Sequence, residues 1–309
     1  MAVDSGTTTF VTGAGGFIGA ELIRELTSRG HRVAGLADSI DAATRLRQIG
    51  ATAVMGDLLV PGRWQDEIAA DWVFHLASPS LPAPAGRRPR GASVASARLL
   101  MDAHLLDALA AGATRRIVYV ADARCFGRSG PQPIAEDDEM SGPPRCPTTA
   151  LDRLDGYIVS GLPIVTALPA WVYGNGSWFR ERVMAPILGG RRVVQFGNVN
   201  PWISPIHVRD TARALVHLAE RGAVGGRYFV VNSDPIRMSE FATTFARLAN
   251  RPLRVWRLPA VASRFPGVAS HVPGDDAVFS NIRLRGTGFR FLYPTIEQGL
   301  EQVVGALYE

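Results

Sequence analysis

Three glycines at intervals of three, Gly13, Gly16 and Gly19, stand between a β-branched run at 8–12 and an apolar-periodic stretch carrying Leu22, Ile23 and Leu26. At a strand-to-helix junction such glycines serve a dinucleotide. Gly13 permits the tight turn, Gly16 lets backbone approach a pyrophosphate, and Gly19 lets the helix pack closely on the sheet, leaving the diphosphate at the positive helix N-terminus. Phe17 and Ile18, between the second and third of these glycines, belong to the same cofactor-binding set. About 20 residues further on, Asp38 ends the second strand, where a carboxylate accepts hydrogen bonds from both adenosine ribose hydroxyls and repels a 2′-phosphate. That argues for NAD over NADP. Two other readings stay open, that Asp38 caps the following helix and that Arg45 or Arg47 reaches a phosphate. Asp57, in Gly56-Asp57-Leu58, is placed either to meet the adenine amino group or to hold a turn, and Leu58 and Ala77 complete the expected cofactor contacts.

The elements that position these residues alternate. Strand-like runs at 8–12, 32–36, 53–55, 72–76 and 116–120 are separated by helical stretches at 19–29, 41–49 and 92–110, and further strands are expected at 163–168 and 228–231. The alternation predicts an α/β fold, a Rossmann-type doubly wound parallel sheet with crossover helices, and a smaller C-terminal lobe for substrate. Prolines punctuate the second half, so the expected division is a nucleotide domain over 1–168, with later elements at about 203–232 returning to it, and a mainly substrate-binding lobe over 169–309.

At 309 residues and 47% hydrophobic, the chain can bury a large core. All 33 basic residues are arginine. They are scattered apart from Arg87-Arg88-Pro89-Arg90, which no aromatic pattern accompanies, so a solvated loop is expected there and not a nucleic-acid surface. The acidic run 136–139 reads as a solvated loop as well. Cys125 and Cys146 offer neither a disulfide framework nor metal-ligand spacing, and no 18-residue apolar span or leader is evident. A cytoplasmic protein with no metal and no membrane association is the expectation.

Thr12-Gly13-Ala14-Gly15-Gly16-Phe17-Ile18-Gly19, Gly56-Asp57-Leu58, His75-Leu76-Ala77-Ser78, Val172-Tyr173-Gly174, His207-Val208-Arg209-Asp210, Asn232-Ser233-Asp234 and the segment from Tyr293 to Leu300 follow one another in a familiar order. Over nearly its whole length the chain resembles the NAD-dependent epimerase/dehydratase branch of the extended short-chain dehydrogenases/reductases. That resemblance implies bound NAD, a small-molecule substrate and a homodimer. It also implies a catalytic hydroxyl after the strand at 117–120 and a Tyr-x-x-x-Lys pair whose ammonium lowers the phenol pKa. Here the strand runs into Ala121-Asp122-Ala123-Arg124-Cys125-Phe126-Gly127, so Asp122 stands where the hydroxyl belongs. The best register puts Cys146 at the tyrosine and Ala150 at the lysine, and no lysine exists to rescue another register.

The candidates for chemistry are therefore Asp122, Tyr173 and Cys146. Asp122 ends a central strand, where such sheets bind ligands, and acts as general acid or base unless it is paired with Arg124. Tyr173 either donates to a substrate oxygen or packs. Cys146 is a thiol nucleophile or acid, or a buried inert cysteine. Ser78, Ser80, Trp171, Asn175, Trp178, Trp202 and His207 are the candidate substrate lining, with His207 equally suited to a structural hydrogen bond. The leading expectation is redox-neutral acid–base chemistry on a small oxygenated metabolite in specialised metabolism: cyclisation, dehydration or isomerisation. The alternatives are an NAD-dependent oxidoreductase or epimerase with substituted residues, and a catalytically silent NAD sensor or scaffold.

Overall fold

A computed structural model of the chain describes residues 6–79, 94–110, 112–127, 129–141, 148–196, 200–259 and 276–308. The sequence expectations at Ser80, Cys146 and Arg87-Arg88-Pro89-Arg90 lie outside these residues. In chain order the elements are β1 (Thr8–Thr12), α1 (Phe17–Ser28), β2 (Arg32–Ala37), α2 (Ile40–Gln48), β3 (Thr52–Met55), β4 (Trp72–His75), α3 (Val94–Ala110), β5 (Arg116–Val120) and β6 (Pro133–Ile134). There follow α4 (Thr148–Val159), β7 (Ile164–Pro169), β8 (Trp171–Tyr173), α5 (Ser177–Phe179), a π turn (Arg180–Met184), α6 (Ala185–Leu188), β9 (Val193–Phe196), β10 (Trp202–Ile203) and β11 (Pro205–His207). The chain closes with α7 (Val208–Arg221), β12 (Arg227–Val230), β13 (Ile236–Arg237), α8 (Met238–Leu248), β14 (Val255–Leu258), β15 (Val278–Phe279), α9 (Ile282–Gly286) and α10 (Ile296–Gly305).

Seven strands make one sheet in the order β12-β7-β5-β4-β1-β2-β3. From β3 to β7 every neighbouring pair is parallel, with Val11 opposite both Gly35 and Phe74, and Phe74 opposite Val118. β7 is buried along its whole length and β5 along all but its first residue, as strands covered by helices on both faces must be. α1 turns Gly19, Leu22, Ile23 and Leu26 inward, the 3–4 spacing of a one-sided helix. The strand order reverses between β1 and β4, and a doubly wound sheet opens its ligand crevice at that point, beyond the carboxyl ends of the strands.

The chain forms two compact units. The first takes residues 1–125, 142–168 and 211–228, and the second takes 126–141, 169–210 and 229–309. Residues 211–228 thus belong with the first unit, and 126–141, placed on sequence with the expected nucleotide domain over 1–168, belong to the second unit. There β8 pairs with β11, β9 with β14 and β6 with β15, all in parallel, and β10 with β13 antiparallel. An aromatic core built on Tyr173, Phe179, Phe241 and Phe245 fills it. Glu136 departs from the solvated loop expected on sequence: it is buried, its Oε1 accepts the Phe229 N–H at 2.9 Å, and burial pushes its carboxyl upward in pKa. Asp137, Asp138 and Glu139 are exposed.

Candidate functional site

Gly13 has φ +68°, and a Cβ there would sit 2.8 Å from both the Leu76 carbonyl carbon and the Ala77 nitrogen. A Cβ at Gly19 would lie 2.3 Å from the Gly13 carbonyl oxygen and 2.9 Å from the Ala14 Cα. Only glycine at these two positions lets the loop, the helix start and the β4 exit come this close. Gly16 is the N-cap of α1, no side chain caps the helix, and its first turn holds no acidic residue. Phe17 and Ile18 are half-buried in that turn. A helix N-terminus left without a carboxylate keeps its amides and its partial positive charge for an anion.

Asp38 is exposed just past β2, and Ser39, not Asp38, caps α2 by accepting the Ala42 N–H at 3.3 Å. Asp57 accepts the Leu59 N–H on Oδ1 at 2.9 Å, the turn-holding alternative. Leu58 is buried, with its carbonyl oxygen 2.7 Å from His104 Nδ1. Ala77 is buried and Ser78 exposed at the end of β4. Gly13, Gly16, Phe17, Ile18, Gly19, Asp38, Asp57, Leu58, Ala77 and Ser78 thus all belong to the first unit, on the loops that follow β1, β2, β3 and β4 and in the first turn of α1.

Beneath them lies a buried polar network that the sequence reading missed. His75 Nε2 is 2.8 Å from Asp102 Oδ1, and His75 Nδ1 is 2.6 Å from Thr12 Oγ1. Arg98 donates from Nε to Asp102 Oδ1 at 2.7 Å, from Nη1 to the Ala77 carbonyl at 2.8 Å and from Nη2 to the Val120 carbonyl at 3.2 Å. Tyr119 donates to Asp102 Oδ2 at 2.7 Å, and the Arg98 guanidinium stacks 4.5 Å over its ring. Since an ionised carboxylate only accepts, Nε2 carries the His75 proton and Nδ1 accepts from Thr12, whose Oγ1 in turn accepts the Ala77 N–H at 3.4 Å. Burial lowers the His75 pKa against the Asp102 hydrogen bond, consistent with this neutral tautomer. Burial acts against the Asp102 charge too, but the His75 hydrogen bond and the Arg98 charge outweigh it and hold that carboxyl low. The legible signal was Arg98 and Asp102 four apart on the same inward face of α3 as Ala97, Met101 and Leu105.

Asp122 follows β5 by two residues and is bound by Arg124. The carboxylate accepts the Arg124 backbone N–H at 2.9 Å and the guanidinium Nε at 2.8 Å, and it pairs closely with Nη2 as well. Both side chains keep over a third of their surface exposed, 36% for Asp122 and 39% for Arg124. At the position matched to the lysine, Ala150 is buried in α4.

Tyr173, Trp171, Trp178 and His207 belong to the second unit. Tyr173 is fully buried, edge-on to Phe241, Phe179 and His207, and its hydroxyl has no hydrogen-bond partner among the described residues. That hydroxyl packs so tightly on Gly299 that a Cβ there would lie 2.0 Å away, and burial pushes the phenol pKa up. Trp171 and Trp178 meet edge to face at 4.8 Å, and Trp178 donates to the Val172 carbonyl at 2.8 Å. Asn175 is exposed. Trp202 is half-buried under the Arg237 guanidinium, 4.4 Å from its ring. His207 is buried between Tyr173 and Tyr293, and its Nδ1 accepts the Arg209 N–H at 3.2 Å. Among the described residues no His, Cys, Asp and Glu cluster could hold a metal, and no helix is long and apolar enough to cross a membrane.

A doubly wound sheet with a glycine loop after β1 and a reversal beside it is the Rossmann-type architecture of dinucleotide-binding proteins. The chain belongs to the NAD dependent epimerase/dehydratase family, whose model matches residues 9–232. It is 25% identical over 267 residues to the 4-hydroxy-2-methyl-3-oxo-4-farnesyl-3,4-dihydroquinoline-1-oxide ketoreductase of Stigmatella aurantiaca, covering 83% of this chain and 77% of that protein. Among solved structures it is similar to UDP-glucuronic acid 4-epimerase from Bacillus cereus in complex with NAD, with TM-score 0.76 and 16% identity over 98% of this chain and 100% of that one. It is also similar to dTDP-glucose 4,6-dehydratase from Bacillus anthracis in complex with NAD, with TM-score 0.79 and 15% identity over 97% and 96%.

Proposed function

We propose that the protein holds NAD at the carboxyl ends of β1, β2 and β4 and acts on a small oxygenated metabolite by redox-neutral acid–base chemistry. The observation that carries the binding is the cradle at Gly13, Gly16 and Gly19. Backbone crowding leaves no room for side chains at Gly13 or Gly19, and the α1 N-terminus has no capping side chain. Asp38, exposed just past β2 and not the α2 cap, stands at the position from which a carboxylate meets the adenosine ribose, and this supports NAD over NADP. In this reading NAD bound there is a structural ligand, and its hydride acceptance and return would serve the redox alternative below. Asp122 is the proton-handling residue in this reading: it ends a central strand and keeps part of its carboxylate surface open. Arg124 orients that carboxylate and shares its oxygens with an incoming hydroxyl or acidic C–H. Tyr173 serves packing, since a hydroxyl closed against Gly299 reaches no ligand.

Two other readings each have an observation in their favour. The ketoreductase relative favours NAD-dependent redox chemistry, and the tight Asp122–Arg124 pairing favours a silent binding protein. Calorimetric titration of nucleotide-free protein with NAD, NADH, NADP and NADPH is the first test. Micromolar binding of NAD or NADH, weaker binding of the phosphorylated pair and loss of turnover in Asp122→Asn are expected in a substrate screen. Failure to bind any of the four removes the dinucleotide reading, and turnover unchanged in Asp122→Asn removes the acid–base role.

A further inference from the structure

Arg98 does something no ordinary salt bridge requires. Besides pairing with Asp102, it sends its two terminal nitrogens to the carbonyls of Ala77 and Val120, the groups at the exits of β4 and β5. A doubly wound sheet binds the two halves of a dinucleotide on either side of its reversal, which here lies between β1 and β4. The adenosine half then falls to the side of β2 and β3, where Asp38 and Asp57 stand, and the nicotinamide half to the side of β4 and β5. Ala77 is also the residue whose nitrogen a Gly13 Cβ would strike, so the β4 exit and the glycine loop share one tightly packed contact. Two residues after Val120 comes Asp122.

We propose that Arg98 is a positioning residue that fixes the β4 and β5 exits as the floor for the nicotinamide half of the cofactor, with Asp102 as the anchor that holds its guanidinium in place. The inference rests on the NAD reading above. The physical case is one of geometry over stability. Burying a carboxylate, a guanidinium and an imidazole costs desolvation that apolar residues of the same volume avoid, so an ion network in a sheet core adds little net stability. What it adds is direction. A planar fork with donors at fixed angles ties two carbonyls from neighbouring strand ends to one point on α3, a task an ammonium on a flexible stem performs poorly. Asp102 is itself over-determined, accepting from His75, Arg98 and Tyr119, and the His75 link continues through Thr12 to the Ala77 N–H. Ala77 is therefore held from both sides, its carbonyl by Arg98 and its N–H by Thr12.

The test compares NAD with ADP, which lacks the nicotinamide half, as calorimetric ligands of the whole chain. In Arg98→Lys, NAD binding is expected to weaken on the order of tenfold while ADP binding stays within about twofold, because only one side of the crevice loses its fixed floor. Thermal unfolding is run on the same samples. Should Arg98→Lys fail to fold, the double variant Arg98→Met/Asp102→Leu leaves no uncompensated carboxylate and is expected to show the same split. Equal weakening of NAD and ADP in the folded variants, or unchanged NAD binding, overturns the positioning role and leaves the NAD reading standing. If the unaltered protein binds neither ligand, both fall together.

Discussion

His207 makes the stability of the second unit depend on acid. Its ring lies 5.4 Å from Tyr173 and 4.5 Å from Tyr293, centroid to centroid. Burial lowers its pKa to about 4 from 6.5, against a hydrogen bond with Gln302 and with help from the Arg209 charge. A base whose folded pKa is depressed is bound by fewer protons in the native state than in the unfolded one below pH 6.5. Its contribution is fully present above that value and is lost as pH falls toward 4, with no further loss below. The drop from 6.5 to about 4 is worth about 3 kcal/mol, of which about 2.5 kcal/mol is expressed by about pH 4.5. Urea unfolding at about pH 7.5 and about pH 4.5 measures it, with His207→Asn as the control. Asparagine carries an oxygen where Nδ1 accepts the Arg209 N–H and has no titration in this range. The variant loses ring packing at every pH but should show a decline smaller than the unaltered protein by about 2 kcal/mol. Equal declines would refute the argument, whatever other groups, His31 and His75 among them, add to both curves.

Four further outcomes are expected. Gly19→Ala drives a Cβ onto the Gly13 carbonyl and the Ala14 backbone, so the loop must shift; NAD affinity should fall on the order of a hundredfold by titration, with a lower midpoint of thermal unfolding. Asp38→Arg removes the carboxylate that favours the 2′-hydroxyl and should move the NAD/NADP affinity ratio toward NADP by on the order of tenfold in the same assay. Tyr173→Phe deletes a buried hydroxyl without a described partner and should raise stability by about 1 kcal/mol in urea while leaving turnover unchanged; loss of turnover in a folded variant would return Tyr173 to the catalytic set. Gly299→Ala pushes a methyl into that hydroxyl and should cost about 1–3 kcal/mol, much of it recovered when Tyr173→Phe is added.

The first half of the fold was legible because its elements obey local rules. The strand at 8–12 and the strand at 116–120 were read from β-branched and apolar runs with the bounds they take in the structure, and the glycine spacing located the junction between β1 and α1. Local rules failed where partners come from far along the chain. Glu136 looked like one of four solvated acids, and nothing within its own segment says that the Phe229 N–H, 93 residues away, turns it inward. The same holds for Arg98 and Asp102, an i,i+4 pair whose other partners, Ala77, Val120, His75 and Tyr119, come from β4, β5 and the loop after β4. Their burial was implied by one thing only: the face of α3 they share is otherwise apolar.

Asp122 shows the opposite limit. Its place at the end of β5 was read correctly from the strand before it, and so was the possibility that Arg124, two residues on, would bind it. Which of the two governs its chemistry is an energetic question that position does not answer. An ion pair with both members over a third exposed is screened by water and worth about 0–1 kcal/mol, so a substrate hydroxyl can displace the guanidinium at little cost. The pairing with Arg124 therefore does not take Asp122 out of reach. It makes Arg124→Gln the informative companion to Asp122→Asn: loss of turnover in both would mark Arg124 as an orienting partner, whereas faster turnover in Arg124→Gln alone would mark it as a competitor for the carboxylate.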